Sequence, residues 1–323
     1  MKTIGVGFIG AGEIANLHAE AINGLEGAEL VGLWNRTPEK GAKKAEQFGC
    51  KQYPTVEAML EDPKIHAVFV LTNMETHCDY TIQAANAGKH ILVEKPAASN
   101  REELERMQAA VSKANVQCMP VHNYIYEPGV MRAKQMIDTG KLGQIVQFYM
   151  LYNIHHAHEI RAKYPGVIRQ ILTHHSYTML YLMGKPESVS CMKFTSDSSL
   201  APQENLAMAN IRMENGSLSH LCASFANDDH AGDPWTCMIK VIGTQGSTRY
   251  SYRDFVIDKP NGPHSQTFQC YPESIKNTAV HFIDRVIRNG EAPLSSLADA
   301  DTCIRISEAC EKSASEGVHV SLV

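Results

Sequence analysis

The sequence predicts an α/β fold whose first half is a doubly wound parallel sheet. Two observations carry this prediction: strand-like and helix-like segments alternate through residues 1–121, and a glycine-rich loop follows the first strand. Strands buried on both faces of a parallel sheet are continuously apolar, and the segments 4–9, 67–71 and 91–93 have that character. We therefore predict one domain at residues 1–121 and an α+β domain at 122–323.

The first strand leads into the sequence Gly-Ala-Gly-Glu-Ile-Ala at 10–15, and a helix is predicted at 15–22. In this G-x-G-x-x-A pattern Gly10 permits a tight turn and Gly12 lets the backbone approach a pyrophosphate, while the helix start faces the phosphates. Because the loop lies between a strand and a helix, it predicts a Rossmann-type dinucleotide site. The residues expected to contact the dinucleotide here are Gly10, Gly12, Glu13 and Ile14.

The second predicted strand, residues 28–34, ends at Asn35 and Arg36. These residues lie about 20 positions beyond the glycine loop, where the adenosine ribose is normally bound. An acid there binds the NAD diol and repels the 2′-phosphate of NADP, but Asn35 is neutral and Arg36 can pair with a phosphate. The pair favours NADP. The alternative is NAD, with Asn35 on the diol and Arg36 as an ordinary surface charge.

Two further strands end in residues suited to a ligand site. The strand at 67–71 ends in Thr72 and Asn73, and the strand at 91–93 ends in Glu94 and Lys95. Ligands of open α/β sheets bind at the carboxyl ends of the strands, so Lys95 can reach a bound substrate. Taken alone, Lys95 is equally a solvated residue at an ordinary strand end.

A set of motifs spread along the chain is shared with one family. They are the glycine loop followed by His18, the segment from Thr72-Asn73 to His77, Glu94-Lys95-Pro96, Tyr126-Glu127-Pro128 leading to Asp138-Thr139-Gly140-Lys141-Leu142-Gly143, Pro293-Leu294-Ser295, Ala298-Asp299-Ala300 and Ser313-Ala314. In these motifs the chain resembles the glucose-fructose oxidoreductase and inositol dehydrogenase family, Gfo/Idh/MocA. The resemblance implies a Rossmann domain followed by a large, mostly antiparallel sheet. It also implies cofactor contacts from Thr72, Asn73, His77, Glu94 and Lys95.

The second half reads mainly as strands, predicted at 144–153, 188–194, 206–213, 217–226, 238–243 and 247–252, with closing helices at 280–289 and 298–315. The run His155-His156-Ala157-His158-Glu159 offers zinc ligands. No further pair of ligands at a recognisable zinc spacing accompanies it, and the resembling family is mostly metal-free. We therefore interpret the run as a polar active-site loop and predict no metal.

A helix is predicted within 166–184 from apolar residues at helical spacing, with His174, His175 and Tyr177 on its polar side. In the family this segment looks like an Asp, a His four residues later, a second Asp three residues after that, and a closing Gly. Counting back from Gly184 places Gln170 at the first acid, His174 at the catalytic histidine and Tyr177 at the second acid. His175 should face elsewhere. The alternative is that His174 is a packing residue.

The resemblance implies hydride transfer between NADP or NAD and a secondary hydroxyl or ketone of a sugar, polyol or sugar derivative. Lys95 and His174 would act as acid–base groups on the reacting oxygen, with Gln170 orienting the hydroxyl. The residues expected to line the substrate are Lys95, Asn123, Tyr124, Tyr126, His155, Gln170, His174 and Tyr177, although packing roles for those at 123–126 stay open.

Two other functions remain open at this point. One is an enzyme that oxidises a sugar transiently and eliminates or cleaves a substituent, without net use of the cofactor. The other is a nucleotide-sensing regulator without turnover. Relatives of that kind lack the lysine motif, and this chain has Lys95.

Composition limits the partners of the chain. Its 323 residues carry a net charge of -5, with 30 basic and 35 acidic residues, so no basic field attracts nucleic acid or an anionic membrane. We find no signal-peptide pattern and no apolar stretch of ~18 residues, and nine scattered cysteines fit reduced thiols. We therefore expect a cytoplasmic enzyme with a small carbohydrate substrate, forming a homodimer or homotetramer through the sheet of the second domain.

Overall fold

The structure is a computed structural model that describes residues 3–154, 159, 162–196, 198–199, 201–225, 237–251 and 270–322. The chain forms two compact units. The first comprises residues 1–123 and 272–301, and the second comprises 124–271 and 302–323. The predicted boundary after residue 121 lies close to the first crossing between the units, but the prediction did not include the return of 272–301 to the first unit.

Within its described residues the first unit contains a six-stranded parallel sheet, with the strand order β3-β2-β1-β4-β5-β6. The strands are β1 Ile4–Ile9, β2 Ala28–Trp34, β3 Lys51–Gln52, β4 Ala67–Val70, β5 His90–Val93 and β6 Cys118–Pro120. The order reverses between β1 and β4, and ligands of doubly wound sheets bind at such a switch point. The predicted Rossmann fold is confirmed.

Local signals define the helices that cover this sheet, namely α1 Ile14–Asn23, α2 Pro38–Phe48, α3 Val56–Leu60, α4 His77–Asn86 and α5 Arg101–Ala114. Helix α5 illustrates them. Asn100 accepts a hydrogen bond from the amide of Glu103 at its start, and Asn115, with φ 52°, ends it in the left-handed region. The sequence predicts a helix at 100–115. The observed bounds nearly coincide with it because Asn100 caps the start of the helix and Asn115 ends it.

The second unit contains a seven-stranded sheet in its described residues, with the order β12-β11-β7-β10-β9-β8-β13. The strands are β7 Ile145–Asn153, β8 Pro186–Phe194, β9 Leu206–Met213, β10 Leu218–Ser224, β11 Cys237–Gly243, β12 Ser247–Ser251 and β13 Val320–Ser321. Every neighbouring pair is antiparallel except β7 and β10, which are parallel. The mostly antiparallel sheet implied by the resemblance is confirmed.

The helices of the second half are α6 Pro128–Asp138, α7 Thr173–Met183, α8 Cys270–Val280 and α9 Leu297–Glu316. A π-helix at Ile168–Leu172 runs directly into α7. The amide of Ile168 donates to Glu204, and the guanidinium of Arg169 makes two hydrogen bonds of 2.6 and 2.7 Å to the carboxylate of Glu311. These contacts hold the wider turn, which a period of 3.6 residues could not predict.

The segment 272–301 returns to the first unit and packs on its sheet. It contains most of α8 and a second π-helix at His281–Arg288, where a single α-helix over 280–289 was predicted. Phe282 meets Phe69 of β4 with ring centroids 6.1 Å apart, and Phe69 stacks on Phe8 of β1 at 5.4 Å. This aromatic cluster continues the core of the first unit.

None of the helices in the described residues combines the length and the apolar composition that crossing a membrane requires. The segment 227–235 is polar and contains Gly232 and Pro234, which predicts a loop, but it lies outside the described residues. His155, His156 and His158 lie outside them as well.

Candidate active site

The glycine loop has the geometry that dinucleotide binding requires. Gly10 has φ 98°, and a Cβ there would lie 2.9 Å from Cγ2 of Thr72, so only glycine fits the turn. Asn35 ties the loop to the end of β2, because its Oδ1 accepts from the amide of Ala11 at 3.2 Å while its Nδ2 donates to the carbonyl of Thr37 at 2.9 Å. The two predicted parts of the cofactor site therefore meet.

Gly12 shows that this loop fits a dinucleotide. A Cβ at this position would meet no protein atom within 4 Å, and its φ is not in the left-handed region, so neither packing nor conformation within the chain requires glycine. Close approach of a pyrophosphate to the backbone does require it. Glu13 and Ile14 stand at the start of α1, where no side chain caps the helix. The amides of Ala15 and Asn16 donate to the carbonyls of Gly12 and Glu13, so the amides that can face an anion are those of Glu13 and Ile14.

Arg36 lies beside this loop and is exposed. Within the described residues it makes no ion pair, and it lies close enough to Tyr80 to lower the pKa of that phenol, although burial raises that pKa more strongly. Tyr80 also packs edge-on against Trp34 at 5.6 Å. A cation next to a ribose-reading position is consistent with either predicted role of Arg36.

Lys95 stands at the carboxyl end of β5 and is half-buried. Its own amide donates to Oε2 of Glu94 at 3.0 Å, and the peptide between Lys95 and Pro96 is cis. Burial lowers the pKa of the Lys95 ammonium to about 8, while the nearby charge of Glu94 opposes that shift. Lys95 can therefore gain or lose a proton near neutral pH, as acid–base work requires.

His77, for which a contact with the cofactor is predicted, is held between two main-chain carbonyl groups. Its ring is buried, with Nδ1 2.8 Å from the carbonyl oxygen of Pro96 and Nε2 3.0 Å from that of Thr72. Both nitrogens therefore face main-chain carbonyls. His77 joins the loop after β4 to the turn after β5, so its effect on a cofactor would pass through those two loops.

His122 lies two residues after the end of β6 and is buried. No sequence pattern predicted a role for it. Its Nδ1 lies 2.5 Å from Oγ of Ser295, and the adjacent Asn123 donates from Nδ2 to Oγ of Ser274 at 2.7 Å. Burial, assisted by the charge of Lys95, lowers the pKa of His122 to about 3. The signal that could have found it is its place after a parallel strand, as for Lys95.

In the second unit His174 belongs to an aromatic cluster. Its ring stacks on that of Tyr124 with centroids 4.7 Å apart, and its Nδ1 lies 2.6 Å from the hydroxyl of Tyr177. That hydroxyl also accepts from the amide of Tyr124 at 3.3 Å. A phenol can donate to Nδ1 or accept from it, so Tyr177 can hold either neutral tautomer of His174.

His175 differs from His174 in its hydrogen bonding. It is fully buried, and neither ring nitrogen has a hydrogen-bond partner among the described residues. Burial lowers the pKa of His175 to about 3, and the nearby His220 makes a smaller contribution in the same direction. It is a neutral packing residue, in keeping with the prediction that it faces elsewhere.

The remaining predicted residues are placed as follows. Gln170 lies in the π-helix, one residue after Arg169, and is half-buried. Tyr126 is buried, and its neighbour Glu127 accepts from the hydroxyl of Tyr250 at 2.8 Å. His155 lies outside the described residues, and no group of three or more candidate metal ligands occurs within them.

Two family profiles match this sequence. The profile described as an oxidoreductase family with an NAD-binding Rossmann fold matches residues 4–122, and the GFO/IDH/MocA C-terminal domain matches residues 130–249.

Characterised relatives align with the chain over different lengths. Inositol 2-dehydrogenase of Rhizobium meliloti is 26% identical over 94% of this chain and 96% of its own length. Levoglucosan dehydrogenase of Pseudarthrobacter phenanthrenivorans is 32% identical, but over 47% of this chain and 41% of its own length. The structure of a levoglucosan dehydrogenase in complex with NADH and levoglucosan superimposes with a TM-score of 0.86 at 25% identity, covering 99% of this chain and 100% of the other.

Proposed function

The chain belongs to the Gfo/Idh/MocA family of NAD-binding oxidoreductases, and from that premise we propose that it oxidises a secondary hydroxyl of a sugar or polyol, or reduces the corresponding ketone. The observation that carries the proposal is Lys95, half-buried at the carboxyl edge of the sheet whose glycine loop fits a dinucleotide. The relatives named for inositol and levoglucosan support cyclic polyols and anhydrosugars as the first substrates to test.

The nicotinamide, when bound, accepts or donates the hydride. During oxidation the hydroxyl proton must leave, and we propose that Lys95 and His174 take it up and polarise the oxygen. Gln170 would orient the hydroxyl without supplying charge, since both acids of the family pattern are replaced in this chain. Tyr177, placed on His174, would do the orienting work of the second acid.

For the cofactor we propose a preference for NADP over NAD. The support is a neutral Asn35 occupied with the main chain of the glycine loop, and an exposed Arg36 beside it. The guanidinium can bind a 2′-phosphate in two hydrogen bonds.

The test is a screen of inositols, sugars, anhydrosugars and sugar acids with NAD and NADP, followed by nicotinamide absorbance. We expect net cofactor reduction with at least one cyclic polyol or sugar, and none with the Lys95→Ala variant. Substrate conversion without net cofactor change would favour transient oxidation with elimination. Cofactor binding without conversion of any compound would contradict the proposed activity.

We also propose that two copies associate through the outer face of the seven-stranded sheet. Four large apolar side chains of adjacent strands are exposed there: Met192 by 79%, Phe194 by 58%, Leu218 by 52% and Met208 by 44%. Met192 and Met208 are register partners on adjacent strands, and exposed apolar neighbours of this kind favour association. A sheet face can pair with its own copy about a two-fold axis.

Light scattering or sedimentation tests this association. Met192→Glu and Phe194→Glu are expected to yield monomers, whereas Met131→Glu, at an apolar residue of α6 with 45% exposure, should leave the assembly intact. A monomeric wild-type protein would contradict the association while leaving the proposed reaction untouched.

A further inference from the structure

A buried pair of side chains, His18 and Glu94, is linked to Lys95 and has no part in the proposed hydride transfer. His18 lies on α1 with no exposed surface, and its Nε2 is 3.1 Å from Oε1 of Glu94. The second oxygen of the same carboxylate accepts the amide of Lys95 at 3.0 Å. One carboxylate therefore joins a helix of the nucleotide-binding half to the backbone of the lysine.

The contacts of His18 define its orientation. Its Nδ1 is buried and has no hydrogen-bond partner among the described residues. The ring meets Phe69 edge-on at 5.4 Å and Phe8 at 6.4 Å. Because a carboxylate only accepts, Nε2 donates to Glu94, and the rings of Phe8 and Phe69 hold the imidazole in the orientation that this bond requires.

The titratable groups that face this pair within the first unit are few. They are Lys95 itself, His77 of α4, which senses the charge of Glu94, and His122 after β6, which senses the charge of Lys95. Burial raises the pKa of Glu94, but the hydrogen bond and the charge interaction with His18, together with the charge of Lys95, outweigh it and lower that pKa. The carboxylate in turn favours the charged form of Lys95.

We infer that His18 is a positioning residue that keeps the carboxylate of Glu94 ionised and in place, and thereby maintains the charge of the Lys95 ammonium. The inference rests on the proposed role of Lys95. It assigns a chemical task to a fully buried histidine of α1.

The His18→Leu variant tests the inference because it removes the donor and keeps an apolar side chain. Without the donor the buried carboxylate should take up a proton more easily, and Lys95, deprived of that negative charge, should lose its own proton at lower pH. In the direction of ketone reduction, where the Lys95 ammonium supplies the proton, the alkaline limb of kcat/KM should move down by about one pH unit. At alkaline pH the kcat/KM of the variant is then about tenfold lower than that of the wild type, with little change at acid pH.

His18→Gln is the matched rescue, because its Nε2 amide donates from nearly the same place, and it should leave the limb unmoved. His90→Leu is the control for ring loss, since His90 accepts from the amide of Gln117 at the opposite end of β5. Equal shifts in His18→Leu and His18→Gln, or a shift in His90→Leu, would overturn the inference.

A second measurement does not depend on turnover. The pH dependence of Lys95 acetylation by acetic anhydride, followed by peptide mass spectrometry, reports the titration of Lys95 in the intact chain. It should move down in His18→Leu and, if that variant does not fold, in Glu94→Gln. A shift of labelling in a protein without any dehydrogenase activity would retain the inference and reject the proposed function, whereas unchanged labelling would reject the inference alone.

Discussion

Lys95 is positioned mainly by main chain, whereas His174 is positioned by other side chains. Lys95 follows a strand that is hydrogen-bonded to neighbours on both sides, and its own amide is held by Glu94. His174 lies on a helix and is oriented by the ring of Tyr124 and the hydroxyl of Tyr177. A strand end thus tolerates changes around it, while the helix site depends on aromatic neighbours. Substitutions at the two sites should therefore have different side effects.

The largest effect is expected from Lys95→Ala, which should lower kcat by ~10²-fold or more, because the ammonium acts on the reacting oxygen. Affinity for the cofactor should be nearly unchanged, since the pyrophosphate is bound by backbone around Gly12. Steady-state rates together with cofactor titration by fluorescence measure both quantities. Wild-type kcat in this variant would remove Lys95 from the reaction.

His174→Ala should lower kcat/KM by at least ~10²-fold. Unlike the change at Lys95, it should also lower the melting temperature, because the ring of Tyr124 loses its stacking partner. His175→Ala is the adjacent control and should affect kcat/KM little. The predicted register of the helix would be wrong if His174→Ala were silent while a substitution at His155, His156 or His158 abolished activity, or if a chelator did so.

Arg36→Ala tests the cofactor edge of the first unit. A charge-assisted contact to a phosphate is worth about 1.5 to 3 kcal/mol, so the Kd of NADP should rise roughly tenfold to a hundredfold. The Kd of NAD should hardly change because NAD has no 2′-phosphate. Calorimetric titration with both cofactors measures the difference, and equal losses would show that Arg36 stacks on adenine or supports the loop.

The smallest effect concerns stability and distinguishes His175 from His174. The pKa of His175 in the folded protein is about 3, below its ordinary value of 6.5. The contribution of neutral His175 to the free energy of unfolding is therefore complete above pH 6.5 and decreases as the pH falls towards 3. The loss for one proton is at most about 1.4 kcal/mol per pH unit.

His175→Leu should therefore lose less free energy of unfolding than the wild type on going from about pH 7 to about pH 5, by at most about 2 kcal/mol. Urea denaturation at both pH values provides the measurement. His122, whose pKa is also about 3, remains in the variant and keeps part of the acid sensitivity. An unchanged pH dependence would show that folding does not shift the pKa of His175.

Sequence patterns predicted the first unit well because its signals are local. Apolar strand runs, the glycine loop and the Asn100 and Asn115 caps each act within a few residues. The short strand β3 and helix α6 escaped prediction. So did the return of 272–301, because long-range packing such as that of Phe282 on Phe69 leaves no local pattern.

The candidate site was predicted only in part for a similar reason. The position of Lys95 after a strand and the resemblance of 166–184 to the family pattern predicted Lys95 and His174. The partners that hold them were not predicted, because Glu94 with His18 and His174 with Tyr124 are separated by many residues. The π-helix before α7 also depends on a distant ion pair, that of Arg169 with Glu311.

The return segment has a consequence for recombination between relatives. Because the chain crosses between its two units after residues 123, 271 and 301, the second half is not a transferable module. A chimaera that exchanges everything beyond 123 would import a foreign Ser274 and Ser295 against the native Asn123 and His122. A graft of the second unit must transfer 124–271 and 302–323 together and keep 272–301 from the protein that supplies the first unit.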